Sequence, residues 1–154
     1  MKNLKLLVLC VGAAFLPSLS AFVTNPSFYA ELNRPLGSPP PWVFAPVWTT
    51  LYAMIGWAHF EYSKESSGHE KSSGHRLQIA QLILNATWSL AFFGLRNPKL
   101  ALLNIVLLWF AIFFTMRAFG KVSKRAQWLM LPYLLWVSFA TYLNAGIVAL
   151  NPQV

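Results

Sequence analysis

Five apolar runs, each close to the length of a bilayer crossing, constrain this chain more than any other feature. They occupy residues 4–23, 44–60, 77–95, 100–119 and 128–150, and none has an acidic or basic residue in its middle. A helix needs about 20 mostly apolar residues to cross the hydrocarbon core. In lipid every backbone N–H and C=O must pair internally, so runs of this length become helices. The expected fold is therefore an all-α membrane protein, a five-transmembrane-helix bundle forming a single domain over residues 1–154. Composition supports this, with 56% hydrophobic and only 10% charged residues. A soluble domain carries about a quarter charged residues, so this chain has too few to cover a water-facing surface.

The prolines refine the picture. Pro46 and Pro132 fall near expected helix starts, where a missing N–H costs little. Pro17 lies inside the first run and predicts a kink there. That run also has a second reading. Lys2 and Lys5, an apolar stretch and then Ser18-Leu19-Ser20-Ala21 follow the order of a cleavable signal peptide, whose removal leaves four helices.

The net charge is +8, from 12 Lys and Arg against 4 acidic residues. Nucleic-acid binding requires basic side chains gathered on one face. Here they sit in the gaps between apolar runs, which is a topology signal. The N-terminus carries Lys2 and Lys5. The second gap carries Lys64, Lys71 and Arg76, and the fourth carries Arg117, Lys121, Lys124 and Arg125. The other side has only Arg34, Arg96 and Lys99. Positive-inside counting puts the N-terminus in the cytosol and the C-terminus outside it.

Cys10 is the sole cysteine, so neither a disulfide framework nor a thiolate metal cluster is expected. The second gap repeats Ser-Ser-Gly-His at 66–69 and 72–75, and reads as a solvated linker rather than a metal site. His59, near the end of the second run, reads as an interfacial or buried hydrogen-bonding residue. The chain contains no Asp, and no Ser/His/Asp arrangement or cofactor loop points to ordinary catalysis. No catalytic residue, metal or cofactor is assigned.

Between the first two runs lies Phe28-Tyr29-Ala30-Glu31-Leu32-Asn33-Arg34-Pro35-Leu36-Gly37-Ser38-Pro39-Pro40-Pro41-Trp42-Val43-Phe44-Ala45-Pro46-Val47-Trp48, with Tyr52 one turn later. Prolines 35, 39, 40 and 41 cannot continue a helix and make a stiff extended segment. Segment 24–43 suits a lid over a pocket, and equally an ordinary loop with Trp42 anchored at the membrane interface. Helical spacing groups further candidates. Trp48 and Tyr52 share a face, as do Asn85, Trp88 and Phe92. Pro132, Trp136, Ala140 and Asn144 recur every four residues. A ring, a small residue and an amide on one face suit a flat ligand. The same stripes also serve as helix packing, with Asn85 and Asn144 bonding across helices.

The proline-rich stretch resembles the TspO/MBR family, whose members are also called translocator proteins, tryptophan-rich sensory proteins and peripheral-type benzodiazepine receptors. The resemblance uses Tyr29, Leu32, Arg34, Pro35, Pro39, Pro40, Trp42, Pro46, Val47, Trp48, Leu51 and Tyr52. It continues through Gln81, Leu82, Leu84, Asn85, Trp88, Phe92, Phe93 and Gly94. It ends with Leu131-Pro132-Tyr133-Leu134, Trp136, Phe139, Ala140, Leu143 and Asn144. Phe28 stands where the family has tryptophan, and Arg34 where it has lysine.

The resemblance implies a retained first helix, a homodimer and a cavity for porphyrins such as protoporphyrin IX and haem precursors. Arg34, Pro39, Pro40, Trp42, Trp48, Tyr52, Asn85, Trp88, Phe92, Trp136, Ala140 and Asn144 are its implied ligand-binding residues, with Arg34 a partner for a propionate. The implied role is tetrapyrrole sensing, transport or regulation in a bacterial cell membrane or an organelle membrane. Two alternatives stand beside it. One is light- and oxygen-dependent porphyrin degradation through Trp48 and Trp136. The other is a membrane scaffold acting through a protein partner. Ala145 and Gly146 replace the aromatic residues of the animal cholesterol motif, and no Lys or Arg follows Tyr142, so cholesterol binding is not expected. Gly12, Ala13 and Ala14 with Thr87 and Ala91 are the candidate dimer contacts.

Overall fold

The computed structural model describes residues 2–23 and 27–154, and all its regular structure is helical. The first three residues of the expected lid, 24–26, lie outside the described part. Helix α1 (Lys2–Ala14) gives way to a tighter 3-10 segment, Leu16–Val23, with Pro17 in its first turn. The expected kink is thus a change of helix type. Pro17 has no N–H to continue the α ladder, while Ser18 N–H returns to the Phe15 carbonyl at 3.0 Å. A short helix α2 (Ser27–Glu31) and a 3-10 turn, Pro41–Val43, bracket the proline-rich segment.

Helix α3 (Phe44–Glu65) and helix α4 (Gly68–Ser89) are separated only by Ser66 and Ser67. The second gap, expected as a solvated linker, is therefore almost wholly helical. Gly68 supplies the turn with φ +53°, a backbone angle that favours glycine. Helix α4 runs into a π-helical segment, Leu90–Gly94, and the chain then turns at Arg96, whose φ is +50°. Helix α5 (Pro98–Val122) is capped by the Asn97 side chain, which accepts from Leu100 N–H. Helix α6 (Lys124–Leu150) begins a full turn before the expected start, so Pro132 sits inside it. There the proline removes the bond to the Trp128 carbonyl.

Helix α1 packs on α3, α3 on α6, α6 on α5 and α5 on α4; the 3-10 segment after α1 returns to α4 and closes the ring. The core between them is apolar and fully buried, with Ile55, Ile105, Leu108, Ile112, Met130 and Val137 at its centre. Apolar side chains also cover the outside, including Leu4, Leu9, Leu103, Phe114, Trp128 and Leu135. Among the described residues four helical stretches are long and apolar enough to cross a membrane: Asn3–Phe22, Gly68–Gly94, Pro98–Val122 and Lys124–Leu150. Helix α3 is not among them, because Thr49, Thr50, His59 and Glu61 dilute its apolar character.

Candidate ligand site

A cavity of about 450 Å³ opens between the 3-10 segment, α3 and α4. Its walls include Phe15, Pro17, Ser18 and Ala21 from the first helix and Phe44, Trp48, Thr49 and Tyr52 from α3. Helix α4 and its π segment add Asn85, Trp88, Ser89 and Phe93. A second crevice of about 20 Å³ lies between Tyr29, Phe44, Trp88, Phe92, Phe93, Ala140, Leu143, Asn144 and Ile147. Phe44, Trp88 and Phe93 line both spaces, so these three rings form the partition.

The aromatic wall is continuous. The Trp48 ring stacks on Tyr52 at 5.5 Å and lies 6.5 Å from Trp88, which lies 5.6 Å from Phe92. The π segment explains how neighbouring residues serve different spaces. The Leu95 N–H bonds the Leu90 carbonyl five residues back, and the Asn97 N–H bonds that of Ala91. That extra residue per turn lets Phe93 reach the large cavity as well as the crevice, while Phe92 lines the crevice alone.

The two asparagines are spent on cross-helix ties. The Tyr52 hydroxyl donates to Asn85 Oδ1 at 2.9 Å, and Asn85 Nδ2 donates to the Tyr133 hydroxyl at 3.0 Å. The Trp88 indole donates to Asn144 Oδ1 at 3.1 Å, and Asn144 Nδ2 donates to the Pro98 carbonyl at 2.8 Å. The Asn85 tie thus joins α3, α4 and α6 beside the cavity, and the Asn144 tie joins α4, α5 and α6 beside the crevice.

Of the residues expected at a site, Trp48, Tyr52, Asn85 and Trp88 come together on the large cavity. Phe92, Ala140 and Asn144 line the crevice instead. Trp136 borders neither space. Its ring meets Phe44 at 6.0 Å, and Trp48 meets Tyr133 at 6.1 Å rather than facing Trp136 across an opening. The Trp109 indole of α5 donates to the Ser138 hydroxyl at 2.8 Å and so ties α5 to α6. Trp42 is 73% exposed and points away from the cavity, leaving Pro41 as the proline of the triplet that lines it. Sequence spacing missed the whole contribution of the first helix. Pro17 was the available signal, because the turn it tightens is the cavity wall.

The lid is latched to the end of α6. The Asn33 N–H donates to Asn151 Oδ1 at 3.0 Å, and Asn151 Nδ2 donates back to the Asn33 carbonyl at 2.8 Å. The Tyr142 hydroxyl donates to the Leu36 carbonyl at 3.0 Å. A Cβ at Gly146 would stand 2.6 Å from the Pro35 ring, so glycine is what lets the lid approach. The Tyr29 hydroxyl holds the Pro39 carbonyl at 3.3 Å, and the Arg34 guanidinium sits over the Tyr29 ring at 5.1 Å. Among the described residues no group of three or more His, Cys, Asp or Glu could hold a metal ion.

The TspO/MBR family model matches residues 6–150. The chain belongs to the TspO/MBR family. It is 43% identical to the tryptophan-rich protein TspO of Chlorobaculum tepidum, over 98% of this chain and 99% of that one. It is 36% identical to the translocator protein of Bos taurus, over 87% and 85% of the two chains. It is 33% identical to the tryptophan-rich sensory protein of Cereibacter sphaeroides, over 92% and 88%. As a TspO/MBR chain with helices apolar enough to cross a bilayer, it is an integral membrane protein.

Proposed function

We propose that this TspO/MBR protein spans the membrane five times and binds porphyrins, protoporphyrin IX and haem precursors among them, in the cavity beneath the proline lid. The observation that carries the reading is the cavity of about 450 Å³ walled by Trp48, Tyr52, Trp88, Phe15 and Phe93. Ligand pockets run to about 300–1,000 Å³ and are mostly apolar with a few polar groups. Flat rings stacked at one wall suit a flat conjugated ligand. Exposed Arg34 stands on the lid, where its guanidinium can meet a propionate. The names of the relatives, translocator and sensory protein, agree with a role in moving or reporting such a ligand. In this reading α3 is the fifth span, its weaker hydropathy offset by burial of Tyr52 and Glu61 and half-burial of His59 among the other helices. The protein acts as a homodimer in a bacterial cell membrane or an organelle membrane, its N-terminus cytosolic and its C-terminus outside. Cholesterol binds without a specific site.

Tryptophan quenching by protoporphyrin IX in detergent tests the reading. Trp48→Ala and Trp88→Ala should each weaken binding by about tenfold, since stacking contributes about 0.5–1.5 kcal/mol beyond area burial and 1.4 kcal/mol is a decade. Trp136→Ala should do less, because Phe44 stands between it and the cavity. Unchanged affinity in folded Trp48→Ala and Trp88→Ala proteins sinks the assignment and moves the scaffold reading ahead. The contiguous rings of Trp48, Tyr52 and Trp88 also favour a second reading, light-driven porphyrin breakdown. Illumination with product analysis separates breakdown from binding alone, and a Trp48→Phe variant should slow it.

A further inference from the structure

Below the cavity, α4 presents an interior stripe that the ligand reading leaves unused. His75, Gln78, Gln81 and Asn85 recur at helical spacing along one face, a length of about 15 Å at 1.5 Å per residue. Gln78 is 1% exposed and Gln81 is fully buried. Neither carboxamide has a hydrogen-bond partner among the described residues, on its oxygen or on its nitrogen. The stripe is anchored at both ends. At the upper end Asn85 holds Tyr52 and Tyr133. At the lower end a ring nitrogen of His75 shares a 2.6 Å hydrogen bond with His59 of α3, whose other nitrogen, Nδ1, is buried and unpartnered.

An amide left unpaired inside a membrane bundle has lost its hydrogen bonds to water with nothing in return, so two such carboxamides in a row call for a partner. The chemistry of that partner follows from which atoms are unpaired. A cation would satisfy only the two oxygens and meet the amide donors with repulsion. An anion would satisfy only the nitrogens. Water both donates and accepts, and a buried water makes about three hydrogen bonds to such groups. We infer that Gln78 and Gln81 bind a short chain of water molecules, which forms a proton route between the His59–His75 pair and the Tyr52–Asn85–Tyr133 cluster at the base of the cavity.

The histidines are the protonatable terminus of this route. Around them stand the Tyr62 and Phe119 rings and, on α4, Glu70 and Lys71; the Glu61–Lys64–Arg125 ion cluster lies at the same end. Helices α3 and α4 meet here through side chains, with Tyr62 also bonding the Glu70 carbonyl. The inference does not depend on what fills the cavity.

Water-edited solid-state NMR on the full-length protein in lipid bilayers tests it. The side-chain amides of Gln78 and Gln81, assigned with Gln78→Met and Gln81→Met variants, should receive polarisation from water at a rate comparable to exposed Gln153. Silent amides mean a dry stripe and overturn the proposal. The route has its own readout. In the Gln78→Met/Gln81→Met protein, hydrogen exchange at the Asn85 carboxamide should slow by an order of magnitude or more. Exchange at the parent rate shows that protons reach Asn85 another way and overturns the route. Porphyrin quenching in the same variant distinguishes failure of this proposal from failure of the ligand reading.

Discussion

At the level of single residues, this protein separates polar groups that hold it together from rings that shape its space. Asn85 is 3% exposed and links three helices through two tyrosine hydroxyls. Asn85→Leu should destabilise the protein by about 1–3 kcal/mol, because it strands both hydroxyls. The triple variant Tyr52→Phe/Asn85→Leu/Tyr133→Phe should recover most of that loss, since no polar group is then left unpaired. Unfolding equilibria of the two variants in detergent check this, and equal losses would mean the network adds nothing beyond packing. Gly146 makes a different point. A valine there would drive the Pro35 ring off α6. Exchange of the Asn33 amide, which now donates to Asn151, should accelerate by about tenfold or more in Gly146→Val. The bare backbone of Gly146 is the seat for the lid.

Close approach between helices is set by the same kind of vacancy at the level of elements. A Cβ at Gly56 would lie 2.5 Å from the backbone of Val11, so α1 and α3 pack backbone to backbone there. Gly56→Ala should push the pair apart and cost about 1–3 kcal/mol, as overpacking does. Gly120→Ala is the control. Its new Cβ meets only the far end of the Gln127 side chain, which can swing away, so melting in detergent should barely change. Helix propensity alone would favour alanine at both positions, so a matched loss in both variants would show that backbone contact at Gly56 is not what sets the cost. The break after Ala14 belongs to this scale too. Pro17 converts the end of the first helix into a tighter coil, and that coil carries Phe15, Ser18 and Ala21 into the cavity wall.

For the whole molecule, the ring of helices places its termini and its charges. Glu61 receives Trp57 at 3.0 Å, Lys64 at 3.3 Å and Arg125 at 3.8 Å, tying the end of α3 to the start of α6. This end also carries Lys71, Arg76, Lys121 and Lys124, so the basic excess sits at one pole. A reporter fused after Val154 should therefore behave as non-cytosolic in a bacterial host; a cytosolic signal would reverse the proposed orientation. Association of two copies needs a face that the bundle does not consume. Ala14 and Ala91 are buried within it, which removes them as dimer contacts, while Gly12 and Thr87 remain exposed. Crosslinking through a cysteine at Gly12 or Thr87 in native membranes should trap dimers at one of them, and a strictly monomeric product counts against the homodimer.

By itself the sequence determined the class of fold, because apolar length in lipid leaves the backbone one way to satisfy itself. It also determined the family, and the pairs Trp48–Tyr52 and Trp88–Phe92, because those depend on spacing along one helix. It misread the second gap and the start of α6, where polar residues such as Ser72, Ser73 and Gln127 are helical in turns anchored by buried neighbours, Gly74 against Tyr62 and Ala126 in the core. Only the tertiary structure decided which faces enclose a space. That Phe44 separates Trp136 from the cavity, that Trp42 turns outward and that Pro17 supplies a wall are facts about neighbours distant in sequence. The partners of His75 and Asn33 lie 16 and 118 residues away, and no local pattern encodes contacts set by how whole helices close into a ring.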